Sequence, residues 1–178
     1  MNIPNVITGI RILMVPLIIY LMIEPIPYAR LWAALIFGIA VVSDFVDGYI
    51  ARRFGWVTDF GAYLDPLADK LLIGTLLIAL AALDHVPIWM VVVILAREIA
   101  VTVYRSVQAR RGISVPASPH GKWKTVFQYI AVFIVLLVPV YPTPFFQVTA
   151  MVSLYLAVIV TVLSGAAYLV QFTSSTNA

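Results

Sequence analysis

Long apolar runs, separated by short polar or proline-containing breaks, occupy almost the whole chain. Each run is close to the length of about 20 residues that a helix needs to cross the hydrocarbon core of a bilayer. The pattern predicts six helices, over approximately 5–23, 31–52, 62–83, 86–109, 122–140 and 145–170. We therefore expect an all-α polytopic membrane protein, with one bundle of six transmembrane helices over residues 1–172 and a polar tail over 173–178.

The composition agrees with this prediction. Of the 178 residues, 63% are hydrophobic and 11% are charged, whereas an ordinary soluble domain has about a quarter of charged residues. The chain has no cysteine, which excludes disulfides and thiolate metal sites. The first apolar run has no basic segment before it and no convincing cleavage site after it. We interpret it as a retained helix and not as a cleaved signal peptide.

Four aspartates lie beside the apolar runs of the second and third predicted helices: Asp44, Asp47, Asp65 and Asp69. An ionised aspartate at the centre of a membrane helix costs about 2.5–3.5 kcal/mol, so these charges need neutralisation. At helical spacing, Asp44 and Asp47 share one face, and Asp65 and Asp69 share another if the helix continues through Pro66. Carboxylate oxygens are hard ligands, so the pattern predicts a site for Mg²⁺, Mn²⁺ or Ca²⁺ between two helices.

Small and basic residues accompany the aspartates at fixed spacing. From Asp44 to Asp69 the chain reads D-x2-D-G-x2-A-R-x8-G-x3-D-x3-D. The additional fixed positions are Gly48, Ala51, Arg52 and Gly61. Glycine and alanine leave room for a substrate to approach the carboxylates. This highly specific pattern resembles the signature of the CDP-alcohol phosphotransferases.

The resemblance implies a reaction and the residues that perform it. An alcohol would attack the β-phosphate of CDP-diacylglycerol, and CMP would leave. All four aspartates would bind metal ions, two ions of Mg²⁺ or Mn²⁺, and Asp69 would also be the general base. The residues implied in binding CDP-diacylglycerol are Asn5, Thr8, Asp47, Gly48, Ala51, Arg52 and Gly61.

Three further segments resemble the bacterial phosphatidylglycerophosphate synthases within this family. They are the N-x-P-N-x2-T-x2-R opening, an A-R-E element and a G-K-x-K-T element. The resemblance implies sn-glycerol 3-phosphate as the acceptor and phosphatidylglycerophosphate as the product. A phosphorylated acceptor needs a basic pocket. We predict that pocket from Arg97, Arg105, His120, Lys122 and Lys124.

Several of these cations also have a structural interpretation. Arg97 lies in an apolar helix beside Glu98, and the two would either form an ion pair or, pointing about 100° apart, find separate partners. The lysines of the G-K-x-K-T element would equally suit lipid headgroups. Arg11 would either extend to the membrane interface or bind a ligand phosphate with Asn5 and Thr8. Lys70 is expected to extend to the surface.

Two other functions remain open. The same chemistry with inositol phosphate or phosphatidylglycerol as acceptor is the nearest alternative. A small cation transporter would instead use the aspartates as an ion path. A transporter needs polar groups across the whole membrane depth and often has repeated halves, and the sequence shows neither feature.

The basic residues predict an orientation. With six spans, both termini lie on one side of the membrane. Arg30 is the only lysine or arginine in the turns on the opposite side. The basic residues on the side of the termini are Arg52, Arg53, Lys70, Arg110, Arg111, Lys122 and Lys124. The positive-inside rule therefore predicts cytoplasmic termini and an aspartate site open to the cytoplasm. The resemblance to the bacterial enzymes implies that the membrane is a bacterial inner membrane. The family resemblance implies a homodimer. We interpret the net charge of +3 as basic residues at the membrane edges and not as nucleic-acid binding.

Overall fold

The computed structural model describes the backbone over 3–54, 59–112 and 119–176, and side chains over 8–46, 66–112 and 123–168 and at 48, 53 and 121. This part of the chain forms six α-helices and no strand, so the predicted all-α fold is confirmed. The helices are α1 (Ile3–Ile23), α2 (Ala29–Phe54), α3 (Asp59–Ala82), α4 (Ile88–Arg110), α5 (Pro119–Leu137) and α6 (Pro144–Thr176). The last helix continues into the segment for which the sequence predicts a polar tail.

Short turns connect α1 to α2, α3 to α4 and α5 to α6. After α3, Asp84 adopts a left-handed conformation with φ of 59°. The N–H of His85 then donates to the carbonyl of Leu80 at 2.9 Å, and the N–H of Asp84 donates to that of Ala81 at 3.1 Å. This pair of bonds is the Schellman arrangement, which satisfies the last carbonyls of a helix while the chain turns away. Such a turn lets α4 run back along α3, against which it packs.

Helix α3 lies at the centre of the packing, against α1, α4 and α5. Its apolar residues recur at helical spacing, and Leu72, Leu76 and Leu80 are fully buried. The other helices contribute buried side chains to the same core: Ile18, Met22, Phe37, Met90, Ile94, Val132, Leu136 and Leu154.

Helix α3 also continues through Pro66. A proline inside a helix offers no N–H to the carbonyl four residues earlier and usually bends or ends the helix. Because α3 begins at Asp59, Asp65 lies within the helix and not at its N-cap. Positions 61, 65 and 69 therefore follow each other at the four-residue spacing on which the predicted shared face depends.

The outer surface of the bundle is apolar. Leu13, Trp32, Phe45 and Phe145 are each more than half exposed to the surroundings. Among the described residues, two helical stretches are long and apolar enough to cross a membrane, Ala29–Val46 and Pro144–Tyr168, and shorter apolar stretches occupy Thr8–Ile23 and Trp123–Leu137. A large exposed apolar surface of this kind indicates association with a membrane.

Candidate active site

A buried arginine joins two of the predicted metal-binding aspartates. The side chain of Arg11 in α1 is only 2% exposed. Its Nη1 lies 2.5 Å from Oδ1 of Asp44 in α2 and 3.7 Å from Oδ1 of Asp69 in α3. Three helices thus bring one cation and two carboxylates together.

The two carboxylates are more accessible than the arginine. The side chain of Asp44 is 27% exposed and that of Asp69 is 34% exposed. A buried charge is tolerated in a low-dielectric interior only when opposite charges lie close to it. Arg11 and the carboxylates therefore neutralise each other from the buried side, while the exposed side of each carboxylate faces outward.

A tyrosine from a fourth helix completes this group. The hydroxyl of Tyr129 in α5 donates to Oδ1 of Asp69 at 2.9 Å. Its ring meets the buried ring of Phe37 edge to face, with centroids 6.0 Å apart and planes at 67°. We name the four polar residues Arg11, Asp44, Asp69 and Tyr129 the aspartate cluster. Sequence reasoning missed Tyr129, because nothing in the spacing of the nine tyrosines distinguishes the one that faces an aspartate.

Two residues predicted to bind CDP-diacylglycerol lie close along the chain to this cluster. Thr8 is 1% exposed and precedes Arg11 by about one turn of α1. Gly48 follows Asp44 by about one turn of α2. Both positions are compatible with contact to a ligand at the aspartate cluster, and their predicted role stays a prediction.

The remaining predicted residues of the motif lie outside the described side chains. These residues are Asn5, Asp47, Ala51, Arg52, Gly61 and Asp65. Their backbone positions belong to α1, α2 and α3, the helices that form the cluster.

The described residues fit a divalent cation in their chemistry. Asp44 and Asp69 come from different helices, yet their Oδ1 atoms approach the same guanidinium nitrogen. Carboxylate oxygens are the ligands that Mg²⁺, Mn²⁺ and Ca²⁺ prefer. Among the side chains that the structure describes, no group of three or more candidate ligands occurs, and Asp47 and Asp65 are not among those side chains.

A second charged group joins α4, α5 and α6. Glu98 in α4 accepts hydrogen bonds from Arg97, at 3.2 Å, and from Lys124 in α5. Arg97 also donates through Nη2 to the hydroxyl of Ser164 in α6 at 2.5 Å, and its guanidinium lies 5.7 Å from the ring centroid of Tyr168. We name these five residues the ion-pair cluster. Both expectations for this pair are met: Arg97 and Glu98 form an ion pair, and each also has a separate partner, Ser164 for Arg97 and Lys124 for Glu98.

A lysine lies between the two clusters. Lys70 follows Asp69 in α3 and donates through Nζ to the hydroxyl of Thr102 in α4 at 2.7 Å. That hydroxyl donates in turn to the backbone carbonyl of Glu98 at 2.6 Å. The expected extension of Lys70 to the surface is therefore replaced by a bond between helices, and this bond ties the aspartate end of α3 to the ion-pair cluster.

The five predicted acceptor-binding residues divide into three groups. Arg97 and Lys124 meet in the ion-pair cluster, where their side chains are 9% and 10% exposed. Arg105 lies two turns further along α4 and is exposed. His120 and Lys122 are outside the described side chains. The structure thus brings two of the five together, around a shared carboxylate.

The sequence of this chain matches a known protein family over most of its length. Residues 1–163 match the family model described as CDP-alcohol phosphatidyltransferase. The chain belongs to this family. The match covers α1 to α5 completely, so it includes every residue of the aspartate cluster.

Curated relatives align along most of the chain. The CDP-diacylglycerol–glycerol-3-phosphate 3-phosphatidyltransferase of Bacillus subtilis is 44% identical over 182 aligned residues, which cover 94% of this chain and 93% of the relative. The "Probable phosphatidylglycerophosphate synthase" of Mycobacterium tuberculosis is 39% identical over 173 residues, covering 96% and 81%. A Rickettsia bellii protein with the same name as the Bacillus relative is 43% identical over 139 residues, covering 76% and 75%.

Proposed function

We propose that this chain transfers the phosphatidyl group from CDP-diacylglycerol to sn-glycerol 3-phosphate, giving phosphatidylglycerophosphate and CMP. The observation that carries the proposal is the convergence of Asp44 and Asp69 on Arg11, within a chain whose relatives are named for this reaction. Carboxylates from two helices of an apolar bundle suit a substrate that is half lipid and half nucleotide.

The donor would bind at the aspartate cluster. Asp44, Asp47, Asp65 and Asp69 would hold two divalent ions, Mg²⁺ or Mn²⁺. When bound, such ions supply positive charge to a diphosphate and to the oxygens on which charge develops. Arg11 neutralises the buried side of the same carboxylates. Gly48, Ala51 and Gly61 would leave room for cytidine, and Arg52, Asn5 and Thr8 would contact the nucleotide diphosphate.

The transfer itself uses Asp69 as the general base. The carboxylate takes the proton of the acceptor hydroxyl, whose oxygen forms a bond to the β-phosphorus of the donor. The bond between that phosphorus and the bridging oxygen breaks, and CMP leaves with the electron pair. Asp69 then releases its proton to water. This role needs Asp69 within hydrogen-bond reach of the acceptor hydroxyl.

The acceptor phosphate would bind at the ion-pair cluster. Glu98 balances only one of the two cations that it contacts, so the three side chains carry a net positive charge. A phosphate needs such an excess of positive charge and multiple N–H donors. Arg105, His120 and Lys122 would complete the pocket. Inositol phosphate shares the phosphate group, and the names of the relatives favour glycerol 3-phosphate.

The membrane arrangement is part of the proposal. All six helices would span a bacterial inner membrane, with both termini and the two clusters on the cytoplasmic side, and two copies would form a homodimer. The opposite end of the bundle contains Arg30 and His85, where burial of the imidazole and the positive charge of Arg30 lower the pKa of His85. The sparse basic residues at that end support an outward-facing surface.

A cation transporter receives less support. The described charged side chains of the two clusters are linked into one group through Lys70 and Thr102, whereas a conduction path would need polar groups at every depth of the membrane. Membership of a transferase family favours the enzyme as well.

Release of CMP tests the proposed function. Purified protein in detergent would receive CDP-diacylglycerol with Mg²⁺ or Mn²⁺ and, in parallel, glycerol 3-phosphate, inositol phosphate, phosphatidylglycerol or serine. We expect release with glycerol 3-phosphate alone. Release with another alcohol would retain the mechanism and overturn the acceptor, and no release from folded protein with any acceptor would overturn the enzyme.

A further inference from the structure

Tyr129 contacts the proposed general base from α5, a helix outside the aspartate motif. Its phenol donates to Oδ1 of Asp69 at 2.9 Å, a normal length for a hydrogen bond to a carboxylate. Arg11 approaches the same oxygen at 3.7 Å, which is beyond hydrogen-bond distance. Arg11 therefore attracts the carboxylate, whereas Tyr129 gives it a direction.

The ring of Tyr129 is itself held in place. It packs edge to face on Phe37, which is 1% exposed in α2. Phe37 and Asp44 lie seven residues apart in α2, close to two helical turns, so they lie on the same side of that helix. Helix α2 thus presents an aromatic ring that fixes the phenol and an aspartate that pairs with Arg11.

We propose that Tyr129 is a positioning residue for Asp69. Its hydroxyl holds one carboxylate oxygen so that the carboxylate plane keeps the orientation in which Asp69 accepts the proton of the acceptor alcohol. The inference rests on the proposed function, since it assumes that Asp69 is the base.

The physical reason lies in the freedom of an aspartate side chain. The terminal torsion of aspartate is broad, so an unrestrained carboxylate turns over a wide range. Proton transfer requires the two heavy atoms to lie about 2.6–3.2 Å apart and aligned. Loss of alignment by about 1 Å reduces turnover by as much as about 100-fold, and partners of metal-binding side chains typically contribute about 10–100-fold.

A packing role for Tyr129 makes a different prediction. If only the ring mattered, phenylalanine would replace tyrosine without loss, because the contact with Phe37 needs no hydroxyl. The substitution Tyr129→Phe removes the donor and retains the ring. It therefore separates the hydrogen bond from the packing.

The experiment compares steady-state kinetics of wild type, Tyr129→Phe and Tyr155→Phe in detergent with CDP-diacylglycerol, glycerol 3-phosphate and Mg²⁺. Tyr155 is a matched control, because it is a half-exposed tyrosine of α6 in ring contact with Trp89. For Tyr129→Phe we expect kcat to fall about 10–100-fold, while KM for both substrates changes by less than about twofold and the unfolding temperature is retained. Tyr155→Phe should match wild type in all three quantities.

Other results would overturn the inference in distinct ways. A kcat of Tyr129→Phe within about twofold of wild type would remove Tyr129 as a positioning residue. A lowered unfolding temperature, together with a lower kcat and a higher KM, would assign Tyr129 to packing. If wild-type protein released no CMP, the proposed function would fail first, and the kinetics of wild type report that outcome separately.

Discussion

Arg11 shows how one residue can serve two requirements at the scale of single side chains. Its charge is buried in an apolar helix, where it would be unfavourable without a partner. Asp44 and Asp69 supply the partners, at 2.5 and 3.7 Å. The same contacts hold two proposed metal ligands together when no divalent ion balances them. Arg11 therefore does not extend to the membrane interface, and its contact with a ligand phosphate stays a prediction.

Replacement of Arg11 should make the fold depend more strongly on divalent ions. In Arg11→Met, Asp44 and Asp69 lose their common cation, and removal of one partner from a buried pair costs about 3–5 kcal/mol. We expect a smaller loss in the free energy of unfolding here, because both carboxylates are partly exposed. In EDTA, Arg11→Met should unfold in detergent at a lower temperature than wild type. Added Mg²⁺ should raise the unfolding temperature of Arg11→Met by more than it raises that of wild type.

The matched control for this measurement is Arg110→Met, which removes an exposed arginine from the end of α4. That variant should unfold like wild type under both conditions. An Arg11→Met protein with the stability of wild type in EDTA would show that the ion pair does not hold the cluster together.

At the scale of helices, the motif spacing was more informative than any individual charge. The apolar runs predict six helices whose ends lie within three residues of the observed ones, except at the C-terminal end of α6, and the motif spacing places Asp44 and Asp69 in the second and third helices. These features follow from helical periodicity and short turns. They need no knowledge of how the helices pack.

Contacts between distant helices could not be predicted in this way. Tyr129 meets Asp69 only because α5 packs against α2 and α3, and the sequence does not fix the rotation of α5. Similarly, Arg97 reaches Ser164 in α6 because Gly165 leaves space, since a Cβ there would lie 3.1 Å from the Arg97 side chain. Helix rotation and local space are properties of packing, which periodicity alone leaves undetermined.

The ion-pair cluster makes a prediction at the same scale. In Lys124→Gln, Glu98 retains Arg97 as its partner, and the cluster loses one positive charge. We expect KM for glycerol 3-phosphate to rise about 10–100-fold, because a hydrogen bond to a charged group contributes about 1.5–3 kcal/mol. KM for CDP-diacylglycerol should change much less. Initial rates at varied concentrations of each substrate measure the two values.

Arg111→Gln provides the control, since Arg111 is exposed beyond the end of α4. It should leave both KM values unchanged. An unchanged KM for glycerol 3-phosphate in Lys124→Gln, together with a lower unfolding temperature, would make the cluster a structural link between α4 and α5 and remove it from the acceptor site.

At the scale of the whole molecule, orientation in the membrane is directly testable because the chain contains no cysteine. Single cysteines introduced as Ile26→Cys, in the turn before α2, and Arg111→Cys, after α4, would lie at opposite ends of the bundle. Both positions are exposed. In intact spheroplasts, a membrane-impermeant maleimide should label the cysteine at position 26, and that at position 111 only after permeabilisation. The reverse pattern would invert the proposed topology.

The most direct test of the account is the identity of the product. Purified wild-type protein and Asp69→Asn would be incubated with CDP-diacylglycerol, Mg²⁺ and isotope-labelled glycerol 3-phosphate, and the lipid fraction and CMP would be quantified by mass spectrometry. The account predicts labelled phosphatidylglycerophosphate and CMP in equal amounts from wild type. Asp69→Asn should give neither product, although it should unfold at the same temperature as wild type. Two results would contradict this expectation: a lipid product without label from wild type that releases CMP, or near-normal turnover in Asp69→Asn.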